Sequence, residues 1–331
     1  MQKIYRIFDA NINRALEGLR VVEEIARFIL EDKKLSSKIK GLRGKVKYAC
    51  SLIPQQQLII KIRDSKKDVG WKVYPKSESS RADIISIYKA NIKRATEALR
   101  VLEEFTKLIN PGAGRAFKDL RFMVYDLEKE LYEEISDYLK QKKLNFNLYV
   151  IIDPAAHGKN IFKITQKVLK SGVKFIQYRD KKASSKKFLN NAQKIKRLTD
   201  KYKAVLIIND HINIAKKINA DGVHIGQEDI PPRKVREMLG DEKIIGISTH
   251  SYKQACRAAR SPVDYLSCGP IFKTKTKPWR RAVGLPLLKK VVKSVKKPIV
   301  AIGGIDKNNL QQVKKTGVKR IAVINAWREL I

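Results

Sequence analysis

Cysteine is scarce in this 331-residue chain: Cys50, Cys256 and Cys268 stand far apart, outside any Cys-x-x-Cys spacing and with no paired histidines. That argues against both a disulfide framework and a structural zinc site. Apolar runs stop well short of the roughly 18–20 residues that a membrane span needs. The opening Met1-Gln2-Lys3-Ile4-Tyr5-Arg6 leads straight into a charged amphipathic stretch, unlike a signal peptide. A cytoplasmic protein with no membrane partner is therefore expected. The first half holds no Gly-x-x-x-x-Gly-Lys-Ser/Thr, so a nucleotide site there would not be a P-loop. Acidic residues are also few, 33 against 71 Lys plus Arg, a formal balance of +38. Three readings of that excess stay open: a lysine-rich bias on solvated faces, attraction of small polyanions, or nucleic-acid binding. The lysines are scattered and no RNP-type aromatic motif accompanies them, so nucleic acid is the least favoured partner.

What the chain does have is core material. Hydrophobic residues make up 43% and charged residues 31%, which places it among folded proteins. At roughly 150 residues per domain its length predicts about two domains. The first half contains an internal repeat. Ile7–Leu30 reads IFDANINRALEGLRVVEEIARFIL and Ile87–Asn110 reads IYKANIKRATEALRVLEEFTKLIN, identical at thirteen of twenty-four positions. A weaker echo follows each copy, Lys40-Gly41-Leu42-Arg43 and Lys118-Asp119-Leu120-Arg121. Ile12, Ala15, Leu19, Val22, Ala26 and Ile29 keep helical spacing, as do Ile92, Ala95, Leu99, Leu102, Thr106 and Ile109. Two repeats, about 7–51 and 87–129, thus predict an all-helical domain over 1–143, with Asp9 as a possible cap and helix resuming over about 114–140. Pro54, Gly70, Pro75 and Ser77–Ser80 mark the loop between the units.

From 144 to 331 the period changes. Strand candidates at Leu148–Asp153, Phe175–Asp180, Val205–Asp210, Gly222–Ile225, Ile244–Ser248, Tyr265–Gly269, Ile299–Gly303 and Arg320–Ile324 alternate with amphipathic helical stretches. Eight such units predict a (β/α)8 TIM barrel, with a doubly wound open sheet as the rival. The barrel predicts polar residues at nearly every strand's C-terminal end, and the sequence has them. Gln177, Arg179 and Lys181 alternate onto one side, an amide and two cations suited to a phosphate. Asp210 and Asp229 leave neighbouring strands and make a sparse oxygen site of the kind Mg²⁺ uses. Gly269–Lys277 is a hydroxyl-and-lysine loop, and Gly303-Gly304 follows strand seven, where barrels commonly hold phosphate. Taken singly each signal is weak, and His224 reads better as an inward, hydrogen-bonded histidine than as an acid–base group. Two anion sites with a metal between them suit two phosphorylated substrates.

Gln177–Lys181, Asn209-Asp210, Gly222–Asp229, Ile247–Ser251, Gly269–Lys277 and Ala301–Ile305 together resemble the thiamine-phosphate synthase family across Leu148–Ile331. The resemblance implies that hydroxymethylpyrimidine diphosphate is joined to a thiazole phosphate with release of diphosphate. It implies that Gln177, Arg179, Lys181, Asn209, Ser248 and Lys277 hold the pyrimidine diphosphate, with Arg179, Lys181 and Lys277 stabilising the leaving group. Asp210 and Asp229 would hold Mg²⁺, and Thr274, Thr276, Gly304, Ile324 and Asn325 the thiazole phosphate. The family has Ser where this chain has Asn325, which puts a hydroxyl contact there in question.

Asp9–Phe28 resembles a small helical domain often fused to that synthase and associated with phosphorylating hydroxymethylpyrimidine phosphate, which implies ATP as co-substrate. Its candidate residues are Asn11, Arg14, Glu17, Arg20 and Glu24 with their counterparts Asn91, Arg94, Glu97, Arg100 and Glu104. At helical spacing these same charges also read as a solvent-facing ladder of ion pairs, and a non-catalytic dimerisation or regulatory module is the alternative. Gly112-Ala113-Gly114-Arg115 reads first as a helix start and only second as a phosphate turn. Six residues follow Asn325, so the eighth barrel helix is expected to be short or replaced. The stripe Phe117, Leu120, Val124, Leu127, Leu131 and Ile135 is the candidate cover for that gap, with a second copy of the chain as the rival.

Overall fold

A computed structural model describes residues 1–55, 57–63, 80–274 and 279–331. The chain divides into two compact units, Met1–Tyr138 and Leu139–Ile331. Gly70, Pro75 and Ser77–Ser79 of the inter-repeat loop lie outside the described residues.

The first unit is all-helical: α1 (Gln2–Glu24), α2 (Lys33–Ser51), α3 (Gln57–Lys61), α4 (Ile84–Thr106) and α5 (Pro111–Lys143), which runs on past the unit's end. The repeated segments form α1 and α4, which pack along one another. Ala15, Leu19, Val22 and Ala26 on one copy, and Ile92, Ala95, Leu99 and Leu102 on the other, are buried as their spacing predicts. Gly18 permits a close approach, since a side chain there would meet the Asn91 carbonyl. Asp9 is not a cap. Helix α1 begins at Gln2, seven residues earlier, and Asp9 takes a two-pronged pair of hydrogen bonds from Arg63, at 2.7 and 2.5 Å. The caps are Asp32 for α2, Asp83 for α4 in a capping box with Ser86, and Asn110, whose Oδ1 accepts from the Gly112 and Ala113 amides. The Gly112–Arg115 run is thus the first turn of α5.

The second unit is a closed barrel of eight parallel strands in sequence order: β1 (Leu148–Ile152), β2 (Phe175–Tyr178), β3 (Val205–Asn209), β4 (Gly222–Ile225), β5 (Ile244–Thr249), β6 (Tyr265–Cys268), β7 (Ile299–Ile302) and β8 (Arg320–Val323). Closure through β8–β1, with Tyr149 opposite Ala322, excludes the open sheet. Helices α6 (Pro154–His157), α7 (Ile161–Lys170), α8 (Ser185–Lys201), α9 (Ile212–Lys217), α10 (Pro232–Leu239), α11 (Tyr252–Ala259), α12 (Gly284–Ser294) and α13 (Leu310–Lys314) follow the strands. Alternating strand residues feed two cores. Val150, Ile152, Ile176, Leu206, Leu266 and Val323 face the helical shell, while Tyr149, Ile151, Phe175, Ile207, Tyr265 and Ala322 fill the interior.

Among the described residues no α-helix follows β8. A 3₁₀ turn, Ala326–Glu329, buries Trp327 in the shell core, with Leu330 packed against it. Helix α5 bonds within the helical unit, Arg121 to Glu103 and Tyr88 Oη to the Glu128 carbonyl. Leu144 and Phe146 join the interior core, with Phe146 stacked on Phe175 at 4.0 Å. The last turn of α5 is held by Lys140–Asp264 at 3.2 Å and Lys143–Asp221 at 2.7 Å. The tail after β8 therefore serves the shell, and the segment before β1 serves the inner core.

Candidate active site

A cavity of about 450 Å³ opens at the C-terminal ends of the strands, where barrel loops converge. Gln177, Arg179, Asn209 and Ser248 line it together with Thr274, Gly304, Ile324 and Asn325. Residues from six strand ends or the loops that follow thus meet in one space. Thr276 and Lys277 lie outside the described residues.

Lys181 does not line the cavity. Strand β2 ends at Tyr178, so the alternation that aims Gln177 inward does not carry on to residue 181. Its ammonium pairs with Asp210. Arg179 pairs with Asp153, a carboxylate buried at the end of β1 that also accepts from the Ala155 amide to cap α6. A guanidinium held from one side in this way is pre-aimed at an anion on the other.

Asp210 holds a positive φ of 60° just past β3, and Asp229 Oδ2 accepts from the Gly226 amide at 2.6 Å. Burial raises the Asp210 carboxyl above its ordinary range, opposed by Lys181 and reinforced by the hydrogen-bonded Asp229 carboxylate. The Lys181 ammonium and the Asp229 charge thus act on Asp210 in opposite directions. Among the described residues no group of three or more His, Cys, Asp or Glu side chains gathers. A cation here would take two protein carboxylates and complete its shell from water and substrate phosphate, a set that fits Mg²⁺.

Beneath the cavity runs a buried polar chain. Gln177 Nε2 donates to Tyr149 Oη at 2.5 Å, Tyr149 and Tyr265 hydroxyls meet at 3.0 Å, and Tyr265 Oη lies 2.9 Å from His224 Nδ1. His224 Nε2 then reaches Ser248 Oγ at 2.9 Å. Each hydroxyl in this chain can donate or accept, and the tautomer of His224 sets which way the chain runs. Burial pushes both tyrosine hydroxyls well above their ordinary pKa, so they stay neutral. Gly246 leaves the room that the Tyr265 ring fills: a side chain there would lie 2.0 Å from the ring. His224 is the inward, hydrogen-bonded residue that the strand pattern predicts, and the network holds Gln177 and Ser248 at the cavity floor.

Sequence reasoning missed Asp153 and the two tyrosines, and gave no individual role to Lys273 and His250 within the runs it singled out, all but Asp153 and Tyr265 being cavity-lining. His250 Nδ1–H donates to the Gly269 carbonyl, which ties the loops after β5 and β6 together. Asp153 was visible as a strand's last residue before Pro154. Its partner, Arg179, comes from the next strand, a neighbour only in the folded barrel.

In the helical unit, Asn11 and Asn91 make the same bond, Nδ2 to the carbonyl four residues back, at 2.8 Å in both. Arg14, Glu17, Arg94 and Glu97 are exposed. Arg20 pairs with Glu24 at 2.5 Å, and Arg100 with Glu104 at 2.8 Å. The buried carboxylates are their neighbours. Glu23 takes Arg43 at 2.5 Å and Glu103 takes Arg121 at 2.9 Å, so one buried ion pair ties each repeat's second helix to its first.

Comparison with known proteins agrees with this division. Residues 148–327 match the family described as thiamine monophosphate synthase, and residues 6–130 match the ThiD2 family. The chain is 38% identical to a thiamine-phosphate synthase of Synechocystis over 98% of its own length and 92% of the relative's. It is likewise 38% identical to that of Nostoc punctiforme, over 98% and 90%. A solved thiamine phosphate pyrophosphorylase from Pyrococcus furiosus superposes with a TM-score of 0.52 at 35% identity, over 57% of this chain and 95% of that one.

Proposed function

This chain belongs to the thiamine-phosphate synthase family, with a ThiD2-family region ahead of the barrel, and from that membership we propose how its two halves divide the work. The barrel joins hydroxymethylpyrimidine diphosphate to a thiazole phosphate. The bond between the pyrimidine methylene carbon and the diphosphate oxygen breaks, its electron pair leaving with diphosphate. The carbocation left behind is stabilised by the ring amino group, and the thiazole nitrogen's lone pair closes the new carbon–nitrogen bond. No protein nucleophile is needed, so the chain's contribution is charge and position.

Arg179 and Lys181, with Lys277, take the charge that grows on the departing diphosphate, and Gln177, Asn209 and Ser248 orient the pyrimidine. Thr274, Thr276, Gly304, Ile324 and Asn325 hold the distant thiazole phosphate. Mg²⁺, held by Asp210 and Asp229, supplies further charge neutralisation on the diphosphate when bound. The observation that carries this reading is that one cavity is lined by residues of both substrate groups, Gln177, Arg179 and Asn209 facing Thr274, Gly304 and Asn325.

The helical half phosphorylates hydroxymethylpyrimidine phosphate, passing the terminal phosphoryl of ATP to the substrate's phosphate oxygen and releasing ADP. The ThiD2 match supports this, and it furnishes the diphosphate that the barrel consumes. Incubating the whole chain with pyrimidine monophosphate, ATP, Mg²⁺ and thiazole phosphate tests both halves, and thiamine phosphate should form. Formation only from pre-made pyrimidine diphosphate would leave the helical half as a non-catalytic dimerisation or regulatory module.

A further inference from the structure

The buried polar chain has both its ends in the cavity and its midpoint outside it. Gln177 and Ser248 line the cavity and Tyr265 does not; both tyrosines are almost wholly buried, Tyr149 at 1% and Tyr265 at 0% exposure. Gln177 stands on β2 and Ser248 on β5, with β3 and β4 between them around the barrel wall. The path that joins them crosses the interior instead. It runs through Tyr149 of β1, Tyr265 of β6 and His224 of β4, in four hydrogen bonds of 2.5 to 3.0 Å.

Tyr265 is the link on which this path depends. Its one hydroxyl proton lies between two neighbours, Tyr149 Oη at 3.0 Å and His224 Nδ1 at 2.9 Å, so donating to either means accepting from the other. The chain therefore takes one sense or the other as a unit. Where His224 Nε2–H donates to Ser248, the serine hydroxyl proton is left for the cavity. Where Ser248 donates to Nε2, only its lone pairs are left. In a dry interior such bonds also polarise one another, so what binds at one end is felt at the other. The Tyr265 ring is fixed as well: it fills the room over Gly246 and stacks beside His224, centroids 5.5 Å apart at 29°.

We propose that Gln177 and Ser248 act as one coupled pair, with Tyr265 as the positioning residue that links them, and that the pyrimidine substrate reads both ends of the chain together. This role rests on the reading above, in which Gln177 and Ser248 orient the pyrimidine. An aminopyrimidine carries an amino donor and ring-nitrogen acceptors, and so fixes the sense in which the chain runs.

The test is kcat/KM for the pyrimidine diphosphate at saturating thiazole phosphate, measured on the full chain in Gln177→Ala, Ser248→Ala and the double variant. Each single change should lower it roughly tenfold, and the double variant roughly 10–20-fold rather than the roughly 100-fold of independent sites. Tyr265→Phe keeps the ring and removes only the link. It should raise the KM for the pyrimidine diphosphate and leave that for the thiazole phosphate unchanged. In its background the two alanine losses should multiply. Losses that multiply in the parent chain would overturn the coupling, as would a shortfall that persists in the Tyr265→Phe background. Single variants that both keep the parent kcat/KM would overturn the pyrimidine reading of these residues, and the coupling with it. The cycle in the parent chain needs no change at Tyr265, so it decides the matter even where Tyr265→Phe fails to fold.

Discussion

Arg179 and Asp153 show how one residue's chemistry is arranged by another. The carboxylate occupies one side of the guanidinium and leaves the other toward the cavity. In the proposed role, Arg179→Ala removes a donor to the departing diphosphate. The barrier should rise by about 2.7–4 kcal/mol, roughly 10²–10³ in kcat. Asp153→Asn leaves the donor in place but loosens it, so a smaller loss, roughly 10–100-fold, is expected. Single-turnover rates for both variants separate the two effects. An Arg179 effect confined to the KM for the thiazole phosphate would show that the two anion sites are assigned backwards. For Asp210→Asn and Asp229→Asn, rates measured across a Mg²⁺ titration should require far more metal and reach a much lower plateau. Parent-like curves in both variants would remove the metal assignment.

At the scale of elements, the duplicated helices carry a contrast between two adjacent glutamates. Glu103 is buried, 3% exposed at its side chain, and bonded to Arg121 and Arg100, whereas Glu104 is 44% exposed. Removing one partner of a buried pair leaves an uncompensated charge, so Glu103→Ala should destabilise the helical unit by about 3–5 kcal/mol. Glu104→Ala should cost under about 1 kcal/mol, as exposed pairs do. Urea unfolding followed by circular dichroism reads both. Equal costs would mean the burial difference carries no energy. The repeat made the pair Glu103-Glu104 visible, since both recur from Glu23-Glu24, and Glu103 falls four residues after Leu99 on the apolar face, but spacing along one helix cannot say what a buried carboxylate pairs with. The second helix decides that, by bringing Arg121 to Glu103.

At the scale of the whole molecule, the excess of 38 positive charges should speed encounter with diphosphate-bearing substrates. Screening shortens the reach of that field from roughly 30 Å at 0.01 M salt to about 8 Å at 0.15 M. The synthase kcat/KM should therefore fall as KCl rises over this range while kcat changes little. Steady-state rates measure this, and a flat kcat/KM would assign the lysines to solvation alone. The sequence by itself determined the two-domain plan, the duplicated helix and all eight strands, because hydrophobic period and strand-end polarity are local signals that survive without neighbours. It also put Gln177, Arg179, Asn209 and Ser248 at strand ends, where they line one cavity, since a barrel sends every strand's C-terminal end to one face. Only the tertiary structure decided what those residues touch. Asp153 reaches Arg179, Tyr149 reaches Tyr265 across 116 positions, and Trp327 rather than a long helix buries itself behind β8. The Tyr149–Tyr265 contact depends on closing β8 onto β1, and closure is a property of the whole sheet that no local stretch of residues encodes.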